Sequence, residues 1–221
     1  MLKQEALELS KQIRKLTAKH ITLSGICLNI GSGTHTHHSV TQNYIQKRVH
    51  AKLKTFKLKN VDIKTGLGVD IVCDFTKQSD LISLRALRPT LVISANFLEH
   101  IPNPVEGLIN LCSLIDKDSF LIISGPVKYP FHADPIDNGF RPDRKQIEIA
   151  LPKGYKIESF KVIRCGHLAT QGMSLIEFLH FAVHRGIRFK NEAKLDFQNA
   201  HQGLKQDFQR VSAFICVVRA I

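Results

Sequence analysis

Between residues 26 and 124 short apolar runs alternate with stretches of helical character, and no other feature of the chain limits its fold as much. Residues 26–30, 91–94 and 120–124 read as strands, with shorter ones at 61–63 and 69–73. Residues 80–87 read as a helix that must end ahead of Pro89, because the residue before a proline is pushed out of the helical region. Asn103-Pro104-Val105-Glu106 opens another helix. Asn103 is the N-cap, Pro104 takes the first helical position, where its missing N–H is harmless, and Glu106 takes the third. Strands interrupted by helices pair in parallel, with helices covering both faces. The predicted fold class is α/β, a Rossmann-like, mostly parallel sheet in a single domain over residues 1–221.

The rest of the chain is read around that frame. Residues 1–20 form an amphipathic helix whose stripe is Leu2, Ala6, Leu9, Ile13 and Leu16. The stripe packs on its own domain or, alternatively, forms the seam of a homodimer. Residues 39–54 are polar, basic and helical in character, and residues 125–142 are rich in Pro, Gly and Asp and read as a long loop. A strand is expected at 156–163, and a helix opens at Ser174 and stops at Gly186. A last strand is expected at 212–218.

Composition excludes several classes. With 43% hydrophobic residues the chain is not intrinsically disordered, and its apolar runs are far too short to cross a bilayer. Charged and apolar residues interleave at the N-terminus, unlike a secretion signal, so a cytoplasmic protein is expected. Cys27, Cys73, Cys112, Cys165 and Cys216 form no C-x-x-C pair and read as reduced core thiols. The net charge of +12, concentrated between Lys47 and Lys64, favours an anionic partner, nucleic acid included; the alternative is a solvated helix face. Only Phe56 interrupts the basic cluster, which gives no support to a base-stacking surface.

Four places carry the chemistry. Asn29-Ile30-Gly31-Ser32-Gly33 takes a strand into a glycine turn, where a ligand can approach the backbone closely. Thr36 stands where a dinucleotide fingerprint would have its third glycine, which argues against a nicotinamide cofactor. Asp62 ends the next strand, where a carboxylate can accept both hydroxyls of a ribose or serve as a turn aspartate. Asp74 and Phe75 end the third strand. Asn96, Leu98 and His100 follow the strand at residues 91–94, on the edge where open α/β sheets bind ligands.

In this order the segments "LNIGSGT", "VDIKTGLGVDIVCDF", "LVISANFLEHIPNPVEGL" and "FLIISGPVKYPFHADPIDNGFRP" resemble the class I S-adenosylmethionine-dependent methyltransferases. The resemblance is strongest to the bacterial group associated with glycan and cell-envelope biosynthesis. It implies S-adenosylmethionine as cofactor, which has no phosphate and needs no anion nest. It also implies an antiparallel last strand and a helical cap at about 170–210. By position, Gly31, Ser32 and Gly33 would lie against the methionine part, Asp62 would hold the ribose, and Ile63 would line the adenine. Asp74 would meet the adenine amino group with the Phe75 backbone alongside, and Asn96 and Leu98 would border the sulfonium. Asn29 stands where the family usually has an acid and His35 where glycine is common, and both keep a non-catalytic copy open.

For the acceptor, His132, Asp134 and His100 are the candidate catalytic groups, able to position or deprotonate a hydroxyl. Asp137 reads better as a turn residue beside Pro135. The acceptor would be a small molecule or glycan precursor, with nucleic acid as the alternative. No metal site is expected: the run from Thr34 to His38 fits no standard zinc spacing.

Overall fold

The structure, a computed structural model, describes residues 2–20, 23–33, 52–131, 136–167 and 209–221. Seven strands form one sheet. They are β1 (Gly25–Ile30), β2 (Phe56–Asp62), β3 (Ile71–Val72), β4 (Leu91–Ala95), β5 (Phe120–Lys128), β6 (Tyr155–His167) and β7 (Arg210–Ala220). Their order is β3-β2-β1-β4-β5-β7-β6, parallel throughout except for β7, which runs antiparallel between β5 and β6. The reversal of strand order between β1 and β4 places a crevice at their carboxyl ends, where such sheets hold ligands.

Each face of the sheet has its own apolar layer. On one face lies α1 (Lys3–Lys19), whose stripe of Ala6, Leu9, Ile13 and Leu16 is buried. Leu9, Ile13 and Leu16 pack with Cys27, Ile93, Phe120, Ile122, Ile215 and Val217 of the strands. Of the two readings of that stripe, the chain's own sheet takes it. On the other face α2 (Gln78–Ala86), α3 (Pro104–Cys112) and α4 (Arg144–Ala150) cover Leu28, Ile30, Val92, Leu121, Ile123 and Cys216. All five cysteines are free and buried. Burial pushes the thiols of Cys73 and Cys165 up to about 11 and those of Cys112 and Cys216 to about 12.

Several expectations shift. β2 begins at Phe56, so Lys57 and Lys59 stand on a strand rather than a helix face, because backbone pairing from Gly25↔Phe56 onward overrides local polarity. β5 runs on through Pro126 to Lys128, so residues 125–128, expected from composition to be loop, are strand. Its last β4 partner is Ala95, opposite Ser124, so Pro126 falls where only β7 pairs with the strand and a proline is tolerated. α4 lies in a stretch given no element from the sequence. Its N-cap Asp143 and Gln146 bond each other's backbone N–H at 2.8 Å, a capping box. The helix at 174–185 lies outside the described residues, as do residues 39–51 of the polar stretch at 39–54 and residues 170–208 of the cap at about 170–210. Among the described residues no helix is long and apolar enough to cross a membrane.

Candidate functional site

The glycine turn after β1 is pinned to the end of β2. The amides of Gly31 and Ser32 both donate to the Val61 carbonyl, at 2.9 and 3.1 Å. Gly31 and Gly33 have φ of +70° and +68°, the left-handed region that favours glycine. At Gly31 a side chain is also excluded by contact, since a Cβ there would stand 2.7 Å from the Phe97 ring. Asp62 closes the junction: Oδ2 accepts from the Gly33 amide at 2.8 Å and Oδ1 from the Lys64 amide at 3.0 Å. Beneath them Asn29 donates its side-chain amide to Asn60 Oδ1 at 3.0 Å, across the register pair that joins β1 to β2. Ile63, next to Asp62, is 61% exposed, an apolar side chain left open on the rim.

Around β3 the carboxylate of Asp74 turns back on its own loop, accepting from Thr76 Oγ1 at 2.7 Å and the Thr76 amide at 3.0 Å. The Thr76 hydroxyl, then its amide, hold that carboxyl below the usual range. Phe75 is buried, with its ring edge-on to Phe97 at 5.2 Å and its carbonyl taken by Asn110 Nδ2 at 3.0 Å. Phe97, not singled out in the sequence, thus bridges Phe75 and Gly31.

The rim after β4 is built differently. Asn96 is left-handed at φ +51°. The short 3-10 turn Leu98–His100 then points Leu98 into the core, so its side chain borders the rim from beneath. His100 Nδ1 lies 2.6 Å from the Ile136 carbonyl, which only accepts, so the proton sits on Nδ1. That contact ties the histidine to the segment following β5. Asn138 continues the tie, donating its amide to the carbonyls of Leu98 (2.8 Å) and Ile101 (2.6 Å). Asp137 accepts from the Gly139 amide at 2.9 Å and pairs with Arg141 at 2.7 Å, a turn residue with an ion-pair partner. His132 and Asp134, like the histidine run at 34–38, lie outside the described residues. Among the described residues no group of three or more acidic, His or Cys side chains is arranged for a metal.

Two carboxylates at this rim escaped the sequence reading. Glu5, on α1, is 1% exposed and accepts from Asn96 Nδ2, Ser124 Oγ and the Leu2 amide. In sequence it is only an acid on the margin of an apolar stripe, three residues after Leu2 and four before Leu9, which does not reveal its distant partners. Glu99 is 2% exposed, with Oε2 beside Gly125. Burial, reinforced by Glu5, pushes its carboxyl up to about 7 against the pull of a backbone hydrogen bond and of Arg141.

No protein-family model matches the chain, and no curated protein matches it in sequence. Solved structures do match by shape. Coclaurine N-methyltransferase, bound to N-methylheliamine and S-adenosylhomocysteine, aligns with a TM-score of 0.51 at 12% identity, over 95% of this chain and 70% of its own. Plantazolicin methyltransferase in complex with S-adenosylhomocysteine aligns at 0.50 and 12% identity, over 97% and 83%. The 4+2 cyclase SpnF aligns at 0.53 and 12% identity, over 96% and 81%. A likeness at such identity is one of architecture, and one architecture hosts several chemistries. The chain has the Rossmann-like fold of the class I methyltransferases, with its antiparallel seventh strand.

Proposed function

We propose that the protein is an S-adenosylmethionine-dependent methyltransferase acting on a small-molecule acceptor. The observation that carries this reading is the β1–β2 junction: two left-handed glycines and a carboxylate bonded to the amide of one of them, at the crevice of an open sheet. The residues there fit the cofactor. Each Asp62 oxygen accepts one amide and keeps a lone pair for a ribose hydroxyl. Ile63 offers an open apolar face to adenine, and the left-handed turn at Gly31 and Gly33 would present its backbone to the methionine part. When bound, the cofactor supplies a positively charged sulfonium whose methyl group is open to direct displacement. The protein then has to hold the acceptor in line, about 3 Å from that methyl. His132, with Asp134 or His100 in support, is the group proposed to position or deprotonate a hydroxyl acceptor. The two methyltransferases named above, which carry S-adenosylhomocysteine, support the cofactor assignment, and the N-methylheliamine in the first favours a small organic acceptor over nucleic acid; a glycan precursor is the acceptor class that the sequence resemblance adds.

A second reading has its own observation. Asn29 puts a neutral amide, engaged with Asn60, where the resembled family usually has an acid, and the cyclase shares this fold. Under that reading the protein binds the cofactor without methyl transfer. One experiment separates the readings: calorimetric titration with S-adenosylhomocysteine, followed by an acceptor screen with a labelled methyl donor. The ligand should bind and raise the melting temperature, and Asp62→Ala should lose most of that shift. Turnover should fall at least ~100-fold in His132→Ala, the low end for lost general-base help. Failure of the wild type to bind defeats both readings, and tight binding without turnover on phosphosugars, glycans or RNA favours the second.

A further inference from the structure

The end of β4 carries the one left-handed asparagine among the described residues, and what holds it there is remote in sequence. Asn96 donates its backbone amide to the Ser124 carbonyl at 2.9 Å and its side-chain amide to Glu5 Oε1 at 3.0 Å. The same Glu5 oxygen accepts the Ser124 hydroxyl at 2.6 Å, and Oε2 accepts the Leu2 amide at 3.1 Å. Glu5 is therefore fixed by three donors from three segments and is sealed from solvent. Left-handed backbone is disfavoured for residues with a Cβ, less for asparagine than for most, and side-chain bonds such as these hold it in place. Here α1, the first element of the chain, does so.

We propose that Glu5 is a positioning residue for the cofactor. Its carboxylate clamps Asn96 and so fixes the β4 rim that would border the cofactor at its sulfur, although Glu5 itself need not touch the ligand. This rests on the cofactor reading above. It goes beyond that reading by making α1, a helix outside every cofactor-binding segment read in the sequence, part of the binding apparatus. The clamp acts through hydrogen-bond acceptance and geometry. It therefore applies equally to S-adenosylmethionine, which carries the sulfonium charge, and to S-adenosylhomocysteine, which does not.

The test is calorimetry with both ligands on the wild type, Glu5→Gln, Glu5→Ala, Asn96→Gly and the double variant Glu5→Ala/Asn96→Gly, with a ligand-free melt for each. Glu5→Ala should weaken both ligands roughly tenfold, the scale of a lost hydrogen bond to a charged group. Glu5→Gln keeps one oxygen to accept from Asn96 and Ser124 and should bind within about threefold of wild type. In the Asn96→Gly background the loss caused by Glu5→Ala should vanish, because the two residues act as one unit. Unchanged affinity in Glu5→Ala overturns the proposal, as does an equal loss in the Asn96→Gly background. A loss confined to S-adenosylmethionine and shared by Glu5→Gln assigns Glu5 a charge role instead and also overturns it. Should Glu5→Ala not fold, Asn96→Ala cuts the same link from the other end, and full affinity there is equally fatal. A wild type that binds neither ligand defeats the cofactor reading itself, whereas wild-type binding with indifferent variants defeats only the clamp.

Discussion

On the β1–β2 side of the rim the backbone holds itself in place. Glycine amides bond to the Val61 carbonyl, and one carboxylate, Asp62, bridges two loops that are neighbours in the sheet. On the β4–β5 side the same task falls to buried side chains that arrive from far away. Glu5 reaches Asn96 across 91 residues and Ser124 across 119. The first half is only partly buried and is built from backbone bonds between two adjoining strand ends. The second is sealed, and burial, with the Glu5 charge adding to it, raises the titration of Glu99. Two halves of one crevice can thus differ in how they respond to pH and to mutation.

The largest effect that can break this comparison is at Glu99. Its folded pKa of about 7 stands above the ordinary 4.5, so the native state holds the proton more tightly than the unfolded chain does. Stability from this group is then fully present below 4.5 and is lost as pH rises to 7 and beyond. Glu99→Gln, which cannot ionise, should gain up to about 3 kcal/mol over wild type above pH 7 and little near pH 4.5. Urea unfolding of both proteins at pH 5 and pH 8 measures it, and an equal difference at the two values would show that Glu99 does not titrate in the sealed half.

Next comes Gly31→Ala. The left-handed backbone and the approach to the Phe97 ring together should cost about 2 kcal/mol and abolish the melting shift with S-adenosylhomocysteine. A variant with wild-type stability and ligand response would mean that the glycine half is not as tightly defined as its hydrogen bonds indicate. The smallest effect is expected at Asn29→Asp. An acid beside the glycine turn should tighten S-adenosylmethionine and S-adenosylhomocysteine alike by roughly threefold, since both carry the methionine amine, in the range of a partly exposed charge interaction. Calorimetric titration of both ligands checks it. Unchanged affinity for both would separate residue 29 from the cofactor's amine.

The contrast also explains what could be read in advance. β1, β4 and α3 were legible because their signals are local. Asn103, for example, accepts from the Glu106 amide at 3.2 Å, as its place in the sequence predicts. Asp143 and Gln146 carried an equally local signal for α4, but the stretch between the loop at 125–142 and the strand at 156–163 was given no element. The early start of β2 was illegible for a physical reason: Lys57 and Lys59 become strand residues only because β1 pairs with them. Glycine turn, Asp62 and Asp74 could be placed on the rim from their spacing. Glu5 and Glu99 could not, because a buried carboxylate is justified by partners, and Glu5 finds Asn96 and Ser124 only after the sheet has formed.

The five sequestered cysteines turn this molecule into its own unfolding gauge. Alkylating reagents attack thiolates, and at neutral pH these groups are both protonated and out of reach. Modification can therefore proceed only through opening, at a rate set by how often each layer parts. Cys27 lies in the layer under α1, whereas Cys73, Cys112 and Cys216 lie in the layer under α2, α3 and α4. Peptide-resolved labelling kinetics would report the two layers separately, without any introduced probe, and would reveal whether ligand binding in the crevice steadies one layer or both.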